Sequence, residues 1–553
     1  MDYSDLVNYY EKIGKTSKRL EKTEIISELL KNSSKEEISI LIHLLQGKVF
    51  PNYDERKIGF SSRLMLKGIS SAIGISQEEV EKIWKKEGDL GKVSEILSQK
   101  KKQKTLFAQK LTIKKVYSNI QKLAELEGEG TVSRKIALVS ELLSNSSPLE
   151  AKYITRTVLE ELRVGIAEGI LRDSIAKAFN FEIKDIENLS NSLADYGEVA
   201  ELAKQGKLKS SGLIVGRPNK VMLAIKVKDF KEAFKALGEE IQLEYKLDGF
   251  RVTIHKINNT YKFFTRRFED VTTQFQEIIL YLDKYIKGKS YILDSEFVGY
   301  NPKTKLYLPF QNISQRIRRK YDLQETAKKF PVEVSVFDIL NYEGEDLIQK
   351  PLKERRKILE KIIKQEKTKV ILTNCIITNK ISEAEAFYKK ALKEGLEGVM
   401  AKNINSQYTP GRYVNGWLKL KPIMETLDLV IVGAAWGEGK RSDWLSSFEL
   451  ACKNKNEFAL IGKVGTGFKE KEGLTFEKLT KLLKPLIIKE TGKIISVKPK
   501  IIVEVMYEEI QTSSTYSSGF ALRFPRFLRL RNDKGLNGVS DIEYIKKLFK
   551  SQK

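Results

Sequence analysis

Lysine, arginine and carboxylate side chains must carry whatever covalent chemistry this chain performs. It holds only two histidines, His43 and His255, and only two cysteines, Cys375 and Cys452. The run with the densest chemical potential is Glu244-Tyr245-Lys246-Leu247-Asp248-Gly249-Phe250-Arg251. Ile241, Leu243 and Tyr245 alternate with Gln242, Glu244 and Lys246, which predicts a strand running into a turn at Asp248-Gly249. Val252 and Ile254 resume the alternation on the far side. A lysine at the end of a strand, beside a tight turn, stands where an amine nucleophile can meet a bound nucleotide. Taken alone, the run also suits a hairpin turn with solvated charges.

Other stretches must position these groups. Residues 1 to about 200 read as helices, with start signals at Ser34-x-x-Glu37, Ser76-x-x-Glu79 and Ser147-Pro148-Leu149-Glu150. From about 225 to 425 the pattern mixes strand and helix. Tyr261 to Phe264 lead a strand into Arg266 and Arg267. Ile292-Leu293-Asp294-Ser295-Glu296-Phe297-Val298 is an apolar strand holding two acids, which are costly there unless paired or metal-linked. Val332, Val334 and Val336 lead to Phe337. Gly395 to Lys402 is a glycine-flanked acid, Glu397, entering another strand, and Trp417 to Pro422 should set Lys419 and Lys421 on one strand face. From about 426 the chain turns to short strands with glycine turns, which suits a small barrel. Leu522 to Lys534 is basic with interleaved aromatics, and Tyr544, Ile545, Leu548 and Phe549 mark a last amphipathic helix.

At 553 residues the chain has room for three or more domains. Lys+Arg 98 against Asp+Glu 73 gives a net charge of +25, which suits a polyanionic partner, nucleic acid before membrane. No apolar run is long enough to span a bilayer and the N-terminus lacks a signal-peptide pattern, so no membrane role and a cytoplasmic, nucleoid-associated location are expected if the source is prokaryotic. The two isolated cysteines argue for a reducing compartment and against a zinc site.

The Lys246-x-Asp248-Gly249 core with Arg251 resembles the signature of the covalent nucleotidyltransferases. Glu150 to Arg156 followed by Leu162-Arg163-Val164-Gly165-Ile166-Ala167-Glu168 resembles the helical DNA-binding domain of archaeal and eukaryotic DNA ligases. Arg217-Pro218 to Met222-Leu223-Ala224 is similar to that family's entry into its catalytic core. The ordered set, from about 150 to 534, resembles the ATP-dependent DNA ligases of archaeal/eukaryotic type. The resemblance implies a multidomain chain: an all-α DNA-binding domain at 1–215, an α+β adenylation (nucleotidyltransferase) domain at 216–425 and a C-terminal OB-fold β-barrel at 426–553. It implies nick sealing in duplex DNA by a monomer, with ATP and Mg²⁺, or Mn²⁺ in its place, through lysyl-AMP and DNA-adenylate.

The resemblance also implies the roles. Lys246 is the nucleophile and Asp248 fixes its turn. Glu244 sits at the adenine and Phe337 stacks on it. Arg251, Arg266 and Arg412 contact ribose or phosphates, although Arg412 lies one residue further from Lys419 than the expected spacing. Glu296 holds the ribose hydroxyl or a metal water, and Glu397 is the metal carboxylate. Lys419 and Lys421 touch the α-phosphate. Arg523, Arg526, Asp533 and Lys534 match the last motif, which orients pyrophosphate. Arg163 and Gly165 approach DNA phosphates. Gln103 to Phe107 has part of the spacing of a sliding-clamp peptide, with Gln109 where an aromatic is usual.

A free lysine with its ordinary pKa of ~10.4 is almost wholly protonated at neutral pH. Burial and nearby cations, Lys419, Lys421 and a metal, are expected to lower that value. A capping guanylyltransferase or an RNA ligase would share the core without needing the helical domain. An NAD-dependent ligase would carry zinc-binding cysteines. A DNA-binding scaffold without activity would not need the lysine and its acids.

Overall fold

The computed structural model describes residues 1–99, 110–208, 212–317, 319, 321–411, 416–422, 425–437, 443–468 and 475–552. The chain forms two compact units, Met1–Leu420 and Lys421–Lys553.

The first unit opens with helices running from Tyr3–Lys15 to Tyr196–Lys204. Their apolar faces converge on one core that includes Tyr3, Leu41, Ile120, Ile154 and Leu171, all fully buried. Each such side chain contributes about 1.5–3 kcal/mol through burial. The helix Pro148–Val158 starts where the sequence says. Ser147 Oγ accepts from the Glu150 N–H at 3.4 Å, and the Ser147 N–H donates to Glu150 Oε2 at 2.8 Å. Ser76 likewise caps Gln77–Glu87. The Ser34-x-x-Glu37 signal fails as a cap: Ser34 hydrogen-bonds the Glu37 side chain, and the helix begins only at Ile38. The Glu37 side chain is drawn away to the N-terminal ammonium at 2.7 Å, so it cannot reach back as a capping box requires.

Two sheets complete the unit. One has the strand order Ile225–Lys226, Trp417–Leu420, Gly398–Asn403, Ile241–Lys246, Cys375–Thr378. Alternation gives it an apolar face of Ile241, Leu243, Tyr245, Val399, Ala401, Leu418 and Leu420, covered by the helices Phe230–Leu237 and Ile381–Lys393. Gln242, Glu244, Lys246, Met400, Lys402, Trp417 and Lys419 therefore share the opposite face. The other sheet runs Thr260–Thr265, Phe250–Ile257, Ser290–Gly299, Val332–Tyr342, Glu345–Asp346, with Val370–Leu372 beside Val332–Tyr342. Its outer face packs a core of Val252, Ile254, Leu293, Phe297 and Val334. A small cluster of Met222, Ile292, Leu340, Tyr408 and Trp417, with Phe337 and Met400 at its margin, fills the space between the sheets.

Within this unit the helical part is tied to the sheets. Asn191 Nδ2 donates to the Pro410 carbonyl at 3.2 Å, Lys220 pairs with Glu168 at 2.8 Å, and Arg217 pairs with Glu198 at 2.6 Å.

The second unit is strand-rich. Its long strand Leu427–Trp436 pairs antiparallel with Leu445–Asn454 along most of its length. It also pairs with Ile494–Val497 at one end and Ile502–Met506 at the other, as the bent strand of a small barrel does. The helix Ile542–Ser551 packs Ile545 and Leu548 into the same core as Leu429, Phe448 and Val503. Among the described residues, no helix is long and apolar enough to cross a membrane.

Candidate active site

Lys246 ends the strand Ile241–Lys246. Its register partner is Gly398, and the Glu397 N–H donates to the Lys246 carbonyl at 3.1 Å, so the backbone itself fixes Glu397 beside Lys246. The Lys246 ammonium contacts Glu397 Oε2, with the two side chains 22% and 18% exposed. Asp248 anchors the following turn by accepting the Phe310 N–H at 3.0 Å. Gly249 is required by close approach: a Cβ there would run into the Phe297 carbonyl oxygen and lie 2.9 Å from Glu296 Cγ.

Burial alone would pull the Lys246 pKa down, but Glu397 first, then Glu296 and Asp248, outweigh it and hold the amine above its ordinary value. The expectation of a lowered lysine is therefore corrected for the nucleotide-free chain. The neighbourhood is acidic, not cationic, and Lys246 rests as an ammonium. Glu296, on Ser290–Gly299, is pushed up to about 8: burial raises it, Glu397 and Asp294 add to that, and Lys246 and Arg251 oppose it.

Of the two acids foreseen as costly within one strand, Asp294 has its partners in view. Asp294 is fully buried and receives a bidentate pair from Arg251, Nε to Oδ1 at 2.8 Å and Nη2 to Oδ2 at 2.5 Å. Arg251 Nη1 donates to the Met222 carbonyl at 2.6 Å, and Tyr408 donates to Asp294 Oδ2 at 2.6 Å. In this state Arg251 is committed to Asp294, and sequence reasoning missed Asp294, Tyr408 and the Met222 carbonyl as its partners.

On the same face of the lysine strand, Glu244 is 2% exposed. Lys402 Nζ lies 2.6 Å from its Oε2, and Gln242 Nε2 donates to its Oε1 at 2.6 Å. Phe337, half-buried, stands edge-to-face with Trp417 at 5.9 Å between ring centres. The Lys402 ammonium lies over both rings, 4.8 Å from Phe337 and 4.2 Å from Trp417. Lys402 was visible in the sequence only as the end of the stretch that carries Glu397 into a strand; Gly398, Met400 and Lys402 were not read as one face.

Lys419 registers with Met400 and so lies on this same face. Lys421 does not: the strand ends at Leu420, the boundary between the two compact units follows it, and Lys421 pairs with Glu508 at 3.7 Å. The expectation of both lysines on one strand face is corrected accordingly, because Pro422 cuts the strand short. Arg266 is exposed in the turn after Thr260–Thr265. Arg412 lies outside the described residues, as does the Gln103–Phe107 segment.

In the second unit, Arg523 pairs with Glu509 at 3.0 Å, Asp533 with Arg531 at 2.7 Å and Lys534 with Asp428 at 2.6 Å, while Arg526 is exposed on the strand Arg526–Leu530. In the helical part, Arg163 and Gly165 lie in the connection between Pro148–Val158 and Glu168–Phe179. Both have left-handed backbones, with φ of 58° and 70°. Arg163 meets Glu161 at 2.5 Å and Asp89 at 3.5 Å. Lys22 braces the loop by donating to the Val164 and Gly165 carbonyls.

A divalent cation fits this site as a shared ligand rather than a protein cage. Among the described residues, no group of three or more His, Cys, Asp or Glu side chains could hold a metal ion. The carboxylates of Glu397 and Glu296 are of the kind, one or two in number, that Mg²⁺ takes alongside waters and phosphates.

Family models match the chain in three places: DNA ligase N terminus at residues 2–176, ATP dependent DNA ligase domain at 221–421 and ATP dependent DNA ligase C terminal region at 441–534. The DNA ligase of Nanoarchaeum equitans is 46% identical, with 100% of this chain and 99% of that protein covered. The DNA ligase of Thermococcus onnurineus is 42% identical over 100% and 98%. The solved structure Pmar-Lig_Pre has the same fold, with a TM-score of 0.60 at 16% identity over 95% of this chain and 99% of that one.

Proposed function

The chain belongs to the ATP-dependent DNA ligase family, whose function is the sealing of nicks in DNA, and from that membership we propose how its residues divide the work. The observation that carries the reading is the Lys246 ammonium at a strand end, in contact with Glu397, on the face it shares with Glu244 and Lys419.

Lys246 first loses its ammonium proton to water, and the free amine then attacks the α-phosphate of ATP: a N–P bond forms, the bond to pyrophosphate breaks with pyrophosphate leaving, and the nitrogen gives its second proton to water. The adenylate passes to the DNA 5′-phosphate, and the 3′-hydroxyl then displaces AMP. Each step is a displacement at phosphorus, so positioning and charge neutralisation dominate. A bound Mg²⁺, or Mn²⁺ in its place, supplies positive charge against the phosphates and the site's carboxylates. Glu397 and Glu296 would hold it. Glu397 also keeps the proton on Lys246 Nζ until that carboxylate is engaged. Phe337 stacks on the adenine, and Glu244 accepts from its exocyclic amine. Lys419 meets the α-phosphate, and Arg266 a more distal oxygen. Arg251, locked to Asp294, orients the wall facing the ribose. Asp248 and Gly249 set the turn that presents Lys246. Arg163 and Gly165 approach the DNA backbone.

The domains are taken as 1–215, 216–425 and 426–553, with the last an OB-fold barrel and the enzyme a monomer. The test is incubation with α-labelled ATP, GTP or NAD. Label from ATP alone, lost in Lys246→Ala, is expected. Label from another donor, or label persisting in that variant, would overturn the reading.

A further inference from the structure

We propose that Lys402 is a positioning residue that sets the choice of base, by holding Glu244 as a fixed acceptor. The inference rests on the reading above that Glu244 and Phe337 receive the adenine.

Lys402 is 1% exposed and Glu244 2%, so the pair is cut off from water. A buried lysine and a buried glutamate persist only as partners. The strands explain why they meet. Met400 is the register partner of Glu244 and Lys402 that of Gln242, so Lys402 lies diagonally across from Glu244 on one face. Its Nζ is 2.6 Å from Glu244 Oε2, while Gln242 takes Oε1. The ammonium is then pinned from the other side by the faces of Trp417 and Phe337. The ring assigned to the base is thus in contact with the cation that holds the carboxylate assigned to its edge.

The chemistry of the two purines follows. Adenine presents an amine at its six position, which donates. Guanine presents a carbonyl there, which accepts. A carboxylate can only accept, so it favours adenine and repels guanine. Without Lys402, Glu244 Oε2 loses the contact that fixes it, and the carboxylate no longer presents a set acceptor to the amine of adenine. The ammonium itself could serve guanine, but it is spent on Glu244.

The experiment measures lysyl-nucleotide formation with ATP and with GTP in the full chain. Lys402→Met keeps an apolar stem between Phe337 and Trp417. Its preference for ATP over GTP is expected to fall by at least about tenfold, roughly 1.4 kcal/mol, with the change in KM rather than in the maximal rate. Should Lys402→Met not fold, Lys402→Leu, which likewise removes the donor and keeps an apolar stem, takes its place with the same criterion. Glu244→Gln is measured beside it. If Glu244→Gln lowers the preference and the Lys402 variant does not, the positioning role is wrong and the base assignment stands. If neither variant changes the preference, the base assignment itself is wrong.

Discussion

Replacing Glu397 with glutamine should make Lys246 more reactive before any nucleotide is bound. The substitution keeps shape, and the backbone bond from the Glu397 N–H to the Lys246 carbonyl does not depend on the side chain. It removes the charge that contributes most to holding the proton on Lys246. Two unit charges 4 Å apart attract by about 4 kcal/mol at an effective dielectric constant of about 20. At about 1.4 kcal/mol per pKa unit, that corresponds to about 3 units before solvent screening. Both side chains keep some contact with solvent, at 22% and 18% exposure, so a downward shift of about one unit or more is expected. Only the neutral amine reacts with an acylating or arylating reagent, so each unit is about tenfold in labelling rate below the pKa. The assay is timed labelling of the apo protein in a chelator at about pH 8.5, read by mass spectrometry of the Lys246 fragment with exposed lysines as references. Glu397→Gln should label at least about tenfold faster at Lys246 while losing metal-dependent adenylylation. Equal or slower labelling would refute the claim that Glu397 holds the proton.

Two further outcomes follow from the same walls. Glu296 is pushed up to about 8 chiefly by burial, so the folded chain binds its proton more tightly than the unfolded chain does, and its contribution to stability is lost as pH rises from the ordinary glutamate value of ~4.3 towards 8. Glu296→Gln should therefore gain thermal stability relative to the parent at pH 8 and little at pH 5, measured without nucleotide or metal; an equal difference at both pH values would contradict the buried, proton-hungry carboxyl. Gly249→Ala should destabilise by about 1–3 kcal/mol in denaturant unfolding, since its Cβ would collide with Phe297 and Glu296; an unchanged midpoint would mean the two strands separate freely there.

Much of this site could be read from residue order, because local rules govern it. Period-two alternation located the strand Ile241–Lys246, and the observed strand has those bounds. The costly acids in Ser290–Gly299 were flagged by burial logic alone, and the structure supplies the partner of Asp294 in Arg251 and Tyr408. What stayed hidden depends on which strands become neighbours. Lys402 meets Glu244 only because Gly398–Asn403 pairs antiparallel with Ile241–Lys246 in one register, and a shift of one residue would turn Lys402 to the other face. The proton affinity of Lys246 was misjudged for the same reason. Lys419, Lys421 and a metal were counted as its neighbours, and the carboxylates that the fold sets against it were not. Lys421 was placed by extending a strand that proline stops.

The most direct test of the account is the covalent state of Lys246. After exposure to ATP and magnesium, proteolysis and mass spectrometry should find an adenylate on the fragment bearing Lys246, absent in Lys246→Ala and discharged when nicked duplex DNA is added. An active enzyme whose Lys246 fragment stays unmodified, or an adenylate on another lysine, would contradict it.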